Sequence, residues 1–386
     1  MLAPTEPAVE VVSALASNHL EEAIPLLESM AGMSDTLPRP LLAATARALR
    51  TDSWAEVGEF FCRGDYFAAD GTFLFIAPFV VRRSGGDRTM LTAVYGRRIA
   101  VPRPPDFARM IAEVTGSNPG DLVFEIVPFH RLAVTGAGGE GGEAFLVPDG
   151  WKFPGSEKGL ALNDMTEQRR RFSRSGEKCI RTIFGPQSAD LLLEGLKNEY
   201  AGVQLQHREF QYHEAGHAAG LGLKKKLADD LLRTPWYRGI EEWRSDGIEF
   251  QLLLDTPGLS RDDAAATIAA KYCLRFGVDA HRAGGYERDT DVMAAEQTLY
   301  HLIENGSIYI DGEKKLSFAH CTRDGLIHST RTHRNSAIQL TRDELALQYE
   351  QGVWGLYGSR TASKACREML KGLIINPCRG FFTDLQ

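Results

Sequence analysis

The sequence predicts an α+β fold in which a β-containing N-terminal half precedes a mainly helical half. Apolar and polar residues alternate within residues 71–101, as they do in half-buried strands. From about residue 160 onward, apolar residues instead recur at the spacing of helices. Apolar residues make up 43% of the 386-residue chain, which is enough for a sizeable core. We therefore place an N-terminal mixed α/β domain at 1–190 and a mainly helical domain at 191–386.

The N-terminal half begins with predicted helices. Apolar residues keep helical spacing throughout 8–31, and a second helix is predicted for 40–50. A β-hairpin follows, because the residues on either side of the polar turn 84–87 alternate with the period of strands. The glycine-rich stretch 136–143 is interpreted as the tip of a further strand pair, since it lacks the Lys-Ser/Thr of a phosphate-binding loop.

Beyond residue 160 the pattern predicts a series of helices and one short hairpin. The helices are predicted for 163–174, 187–199, 206–232, 238–255, 260–276, 289–305, 341–352 and 359–373, and the hairpin for 307–311 and 315–320.

Composition and charge exclude several classes of partner. The formal net charge of -7 leaves no basic excess for nucleic acid. No apolar run approaches the roughly 18 residues that span a bilayer, and the N-terminal stretch lacks the basic region of a secretory signal. The six cysteines are scattered without a CxxC pair, which indicates reduced thiols. We expect a cytoplasmic protein without nucleic-acid or membrane partners.

The strongest chemical signal is the pentapeptide His213-Glu214-Ala215-Gly216-His217. Residues four apart lie about 40° apart around a helix, so both imidazoles project to one side and can bind one Zn²⁺. Glu214 lies about 100° from His213, which places it outside the ligand set and lets it act as general base on the attacking water. The alternative is a surface helix with two unrelated histidines. The largely apolar or small flanking residues disfavour it, because buried histidines need a partner.

A site with two histidines needs a third protein ligand. Neither a histidine nor an aspartate stands six residues after His217, because that position is Leu223. A glutamate on a following helix remains, and Glu242 and Asp246 share one face of the helix predicted for 238–255. Glu242 can complete the metal site, and Asp246 can accept the free ring N–H of a ligand histidine. The alternative is an acidic helix N-terminus that suits the helix dipole.

These two motifs resemble the gluzincin metallopeptidases, and more narrowly the dipeptidyl peptidase III family. The stretch 241–246, Glu-Glu-Trp-Arg-Ser-Asp, resembles that family's glutamate helix, and residues 299–310 are similar to its helix-then-strand segment. The resemblance covers roughly residues 205–310. It implies a zincin-like helical catalytic half in which His213, His217 and Glu242 bind zinc, Glu214 is the base and Glu241 supports the ligands.

The chain also departs from that family's pattern. It has one residue fewer between its two histidines than the family usually has. Asp291 and Ala295 stand near the positions where the family carries a histidine and an arginine. Hydrolysis of an unusual substrate is therefore an alternative to peptide cleavage.

A zinc hydrolase also needs a donor to the developing oxyanion. His281 and Tyr286 are the first candidates, because they lie in a glycine-bearing loop and loops carry function disproportionately. The alternative for each is an ordinary surface or packing role.

Together these observations predict a zinc metallohydrolase, a peptidase that cleaves short peptides with a glutamate as general base. One alternative is a zinc enzyme that acts on a small non-peptide amide or ester in specialised metabolism. The other is a scaffold that uses zinc for folding, which the absence of cysteines near the motifs disfavours. The substrate is expected to be a peptide or a small molecule, and the sequence leaves the oligomeric state open.

Overall fold

The computed structural model describes a defined set of residues. They are 6–35, 37–62, 71–81, 88–99, 101, 106–115, 124–136, 144–147, 159–166, 176–194, 199–218, 235–260, 271, 275–276, 289–304, 306–319, 324–325, 328, 331, 368–369 and 371–375. The chain divides into two compact units, one formed by 1–102 with 123–170 and the other by 103–122 with 171–386. Residues 171–190 thus belong to the second unit.

Four helices open the first unit: α1 (Pro7–Ala16), α2 (Leu20–Met33), α3 (Arg39–Thr51) and α4 (Ala55–Cys62). The continuous periodicity of 8–31 corresponds to α1 and α2 rather than to one helix. The helical conformation is interrupted at Asn18, whose φ of 60° is incompatible with continuing a right-handed helix. The helix predicted for 40–50 is confirmed as α3, whereas α4 was missed because it is short.

A five-stranded sheet follows the helices of this unit. It contains β1 (Thr72–Val81), β2 (Arg88–Arg98), β3 (Phe124–Thr135), β4 (Ala144–Val147) and β5 (Gly159–Asp164), in the spatial order β1-β2-β3-β5-β4. The predicted hairpin is confirmed as the antiparallel pair β1–β2, while its turn at 84–87 lies outside the described residues. Phe73 and Phe75 pack in one apolar cluster and Leu74 and Ile76 in another, so both faces of β1 are buried.

The strands that flank the glycine-rich stretch do not pair with each other. β3 pairs in parallel with β5, and β4 pairs with the other side of β5 in antiparallel fashion. The prediction of a hairpin tip at 136–143 was therefore wrong, because β5 lies between its two arms. The helix predicted from residue 163 was wrong at its start as well, since residues 163 and 164 end β5.

The second unit is mainly helical. It contains α5 (Phe107–Thr115), α6 (Glu177–Ile183), α7 (Pro186–Glu194), α8 (Glu199–Ala218), α9 (Pro235–Asp255) and α10 (Thr290–Glu304), with the strands β6 (Ile308–Ile310) and β7 (Leu316–Phe318). α9 packs against both α8 and α10, and Tyr212, Phe250 and Leu299 contribute one residue from each of these helices to a common apolar core. This three-helix packing holds the two sequence motifs side by side.

Several predicted elements of this unit are confirmed. The helices predicted for 238–255 and 289–305 correspond to α9 and α10, and the short hairpin corresponds to β6–β7. The helix predicted for 187–199 corresponds to α7, and the first part of the helix predicted for 206–232 belongs to α8, which already begins at Glu199. Residues 219–232 of that prediction lie outside the described residues. The predicted helices 341–352 and 359–373 fall mostly outside the described residues, which include a π-helical turn at Lys371–Ile375. Among the described helices, none combines the length and the hydropathy that crossing a bilayer requires.

Candidate metal centre

Three side chains from α8 and α9 converge on one point. His213 Nε2 lies 3.0 Å from Glu242 Oε2 and 3.0 Å from His217 Nε2, and His217 Nε2 lies 3.3 Å from Glu242 Oε2. A tetrahedral ion with bonds of about 2.0–2.1 Å sets its ligand atoms about 3.3 Å apart. The triangle of His213, His217 and Glu242 therefore has the size of one face of a zinc coordination tetrahedron.

The chemistry of these three atoms also fits a cation. Two imidazole Nε2 atoms 3.0 Å apart cannot both carry a proton and still bond to each other, because both would be donors. Both lone pairs can, in contrast, point toward one positive ion. The two rings stand nearly perpendicular, with an interplanar angle of 85° and centroids 4.7 Å apart, so neither ring blocks the other.

The electrostatics favour positive charge at the same place. Burial alone would lower the pKa of both imidazoles, but the surrounding carboxylates outweigh it. Hydrogen bonds to Asp246, Glu242 and Glu249 hold the pKa of His213 well above its ordinary value. The charge of Glu242 and the hydrogen bond to Glu241 raise the pKa of His217 to about 9. The carboxylates thus require positive charge here, which either protons on the rings or a bound cation can supply.

Each histidine is oriented by a carboxylate on its other ring nitrogen. Asp246 Oδ1 lies 2.9 Å from His213 Nδ1, and Glu241 Oε1 lies 3.2 Å from His217 Nδ1. When Nδ1 donates to a carboxylate, the lone pair of Nε2 is left for a metal, which is the usual arrangement behind a ligand histidine. Arg244 holds Glu241 in turn, because its Nε donates to Glu241 Oε2 at 2.7 Å.

Glu214 follows His213 directly on α8. Its side chain is only partly buried, whereas its neighbours His213 and Ala215 are buried. A carboxylate that remains accessible beside the candidate ligands is what a general base at this centre needs.

A close approach of the two helices brings the motifs together. Gly216 on α8 faces Ser245 on α9, and a Cβ added at Gly216 would lie 2.5 Å from Ser245 Oγ and 3.2 Å from Ser245 Cα. Ser245 Oγ donates to the carbonyl oxygen of His213, and Arg244 donates to the carbonyl oxygen of Gly216 at 2.8 Å. The small residues at 216 and 245 therefore set the separation between the histidines and Glu242.

Gly216→Ala is expected to weaken metal binding although residue 216 offers no ligand atom. The added methyl group requires α8 and α9 to separate by some tenths of an ångström, which displaces Glu242 from the histidines. A lower metal affinity together with a lower melting temperature is the expected result. Gly312→Ala, where the added Cβ meets nothing within 4 Å, is the matched control. Parent metal affinity in Gly216→Ala would contradict the packing argument.

Comparison with known proteins places the chain in a family. The profile of the family of unknown function DUF6014 matches residues 4–322. The chain belongs to the DUF6014 family. No curated protein matches the chain.

Solved structures show what this DUF6014 protein resembles in fold. The structure of DPP III from Caldithrix abyssi is 14% identical with a TM-score of 0.63, and the match covers 94% of this chain and 70% of that one. Dipeptidyl-peptidase III from Corallococcus sp. strain EGB is also 14% identical, with a TM-score of 0.55 and coverage of 96% and 70%. The predicted α+β fold with a mainly helical second part is thereby confirmed, and it is similar to that of dipeptidyl peptidase III.

Some residues of this DUF6014 site were not predicted from the sequence. Glu249 lies three residues after Asp246 and seven after Glu242, so helical spacing could have placed it on the same face of α9. Lys271 and Arg275 come from a later segment, and no local pattern connects them with the motifs. His281 and Tyr286, the predicted oxyanion donors, lie outside the described residues.

Proposed function

We propose that this DUF6014 protein is a zinc-dependent hydrolase, and more specifically a peptidase that cleaves short peptides. The observation that carries the proposal is the triangle of His213 Nε2, His217 Nε2 and Glu242 Oε2, with sides of 3.0–3.3 Å. Support for a peptidase comes from the similarity of the fold to dipeptidyl peptidase III. Two imidazoles and one carboxylate are a ligand set typical of catalytic zinc, which leaves one position for water or substrate.

In this proposal the three ligand residues hold the zinc and the neighbouring carboxylates hold the ligands. Bound zinc would supply Lewis acidity, which polarises a carbonyl group and lowers the pKa of water. Asp246 and Glu241 keep a proton on Nδ1 of His213 and His217, so that each ring presents Nε2. Both carboxylates also offset part of the positive charge that the centre holds.

Glu214 moves the proton in the proposed reaction. Its carboxylate takes a proton from the attacking water while the oxygen of that water bonds to the scissile carbonyl carbon. The C–N bond then breaks, and the same carboxylate returns the proton to the leaving amine. The products are a carboxylic acid and an amine, and Glu214 ends in its starting state.

The metal itself is tested by elemental analysis of the purified protein. We expect about one zinc per chain, and we expect His217→Ala to lose most of it, because one of three protein ligands is removed. His207→Ala is the matched control, since His207 is buried on the same helix but lies outside the triangle. Full zinc occupancy in His217→Ala would contradict the site.

The substrate class is tested separately with the zinc-loaded protein. A panel of short peptides with free N-termini is expected to show release of small N-terminal fragments that stops when a chelator removes the metal. Bound zinc without cleavage of any peptide would favour the second candidate, hydrolysis of a small non-peptide amide or ester.

A specific observation favours that second candidate. The dipeptidyl peptidase III family carries a histidine and an arginine near the positions of Asp291 and Ala295. Here Asp291 is bound to Arg275, and Ala295 is buried in the apolar core. Both positions on α10 thus make internal contacts, and they carry neither the histidine nor the arginine of that family.

A further inference from the structure

A second group of acidic residues lies behind His213, on the Nδ1 side of its ring. Asp246 Oδ1 lies 2.9 Å and Glu249 Oε2 lies 3.5 Å from His213 Nδ1, and the side chains of both carboxylates are 0% exposed. His213, Asp246 and Glu249 are all buried, and their ligand atoms lie close enough together to hold a cation. Glu209 on α8 reaches the same group of atoms through Lys271. Buried carboxylates so close together repel one another unless a positive charge lies between them.

The ammonium group of Lys271 supplies that charge. Lys271 Nζ lies 2.7 Å from Glu209 Oε1 and 2.9 Å from Asp246 Oδ1, and it also donates to Glu249 Oε2. Its distance to His213 Nδ1 is 3.3 Å. The Lys271 side chain is 10% exposed, so this contact with three carboxylates is almost dry. The place where a second metal ion would bind is therefore filled by a group of the protein.

We propose that Lys271 is a positioning residue for the metal centre, whose ammonium occupies this acidic pocket and holds Asp246 where it accepts the Nδ1 proton of His213. The inference rests on the proposed function in taking His213 as a ligand. It goes beyond that function in assigning a role to a residue that neither sequence motif contains.

Counting hydrogens supports the assignment. An ammonium group has three protons, and three carboxylates from Glu209, Asp246 and Glu249 accept them. None is then left for His213 Nδ1, which lies farther from Nζ than all three of those oxygens do. Nδ1 is therefore the donor in the 2.9 Å contact with Asp246 Oδ1. The opposite arrangement, with Lys271 donating to Nδ1, would put the ring proton on Nε2 and remove the lone pair that a metal needs.

Asp246 is held from a second direction as well. Arg275 donates to Asp246 Oδ1 at 3.0 Å and also binds Asp291 on α10. Lys271 and Arg275 thus fix one carboxylate oxygen that is shared with the histidine. Lys271 differs from Arg275 in that its ammonium group joins Asp246 to Glu209 and Glu249.

The test compares zinc binding by the parent and by Lys271→Met, which keeps the length of the side chain and removes its charge. Without the ammonium group the three carboxylates repel one another, and Asp246, which Arg275 then holds alone, shifts from its place at Nδ1. We expect the zinc dissociation constant, measured by competition with a chelator, to rise about ten- to a hundredfold. We also expect the absorption spectrum of the cobalt-substituted protein to change, because it reports the geometry of the ligands.

Arg131→Met is the matched control. It breaks another ion pair with a fully buried carboxylate, that of Asp164, in the first unit of the chain. Both variants are expected to unfold at a lower temperature, because each removes a cation that contacts a buried carboxylate. Only Lys271→Met is expected to change zinc affinity and the cobalt spectrum. If Lys271→Met does not fold, the double variant of Lys271→Met with Glu249→Gln is used, because it removes one charge of each sign. The same changes in zinc affinity and in the cobalt spectrum are expected of it.

The outcomes separate this inference from the proposed function. A parent protein that binds no zinc would overturn the proposed function. A parent that binds zinc, with unchanged affinity and cobalt spectrum in a folded Lys271→Met or in the double variant, would overturn the role of Lys271 alone.

Discussion

Glu214→Gln is expected to lower the rate of hydrolysis by a hundred- to ten-thousand-fold while the protein keeps its zinc and its fold. A positioned general base contributes about this factor to a rate, and glutamine cannot accept the proton from water. The amide has nearly the same volume as the carboxylate, and residue 214 is only partly buried, so α8 is not disturbed. The measurement is the turnover of a substrate found in the peptide panel, with zinc content determined on the same sample.

Glu304→Gln provides a control for the loss of one negative charge, since Glu304 is exposed at the end of α10. It is expected to behave as the parent does. Turnover at the parent rate in zinc-loaded Glu214→Gln would exclude Glu214 as the base.

Glu242→Gln is expected to cause the largest loss of zinc affinity among the acidic residues of α9. Its Oε2 lies 3.0 Å from His213 Nε2 and 3.3 Å from His217 Nε2, and the substitution removes the one negative charge among the three ligand atoms. Asp246→Asn keeps an acceptor oxygen behind His213 and removes its negative charge, for which about a ten- to hundredfold loss is expected. Glu241→Gln should be milder still, because Glu241 lies 3.2 Å from His217 Nδ1, whereas Asp246 lies 2.9 Å from His213 Nδ1.

Affinities from chelator competition on the three variants give the order directly. The rival assignment within α9 is that Glu241 binds the metal and Glu242 supports it. A larger loss in Glu241→Gln than in Glu242→Gln would establish that rival. The contacts of Glu241 speak against it, since Arg244 already engages both of its carboxylate oxygens.

Most of the candidate centre could be predicted from the sequence because it depends on the spacing of residues within single helices. His213 and His217 are one turn apart, so any helix over residues 210–218 places both rings on one side. Glu242 and Asp246 are related in the same way on α9. The antiparallel pair β1–β2 was predictable for a similar reason, since alternation and a short polar turn are local features.

Elements that depend on distant partners were not predictable. The parallel pairing of β3 with β5 joins residues 35 positions apart, such as Phe124 and Gly159, and nothing within β5 distinguishes it from the start of a helix. Lys271 likewise carries no local signal, because its role arises from carboxylates on two other helices.

The sequence by itself determined which residues can bind a metal ion and which faces of α8 and α9 they occupy. Helical geometry relates neighbouring turns rigidly, so this information is local. The tertiary structure decided which ring nitrogen of each histidine is free, because that depends on Asp246 for His213 and on Glu241 for His217. It also decided that Lys271 fills the second acidic pocket. Which charges form a pair depends on the distance between them. Only the packing of α8, α9 and the segment that carries Lys271 sets those distances.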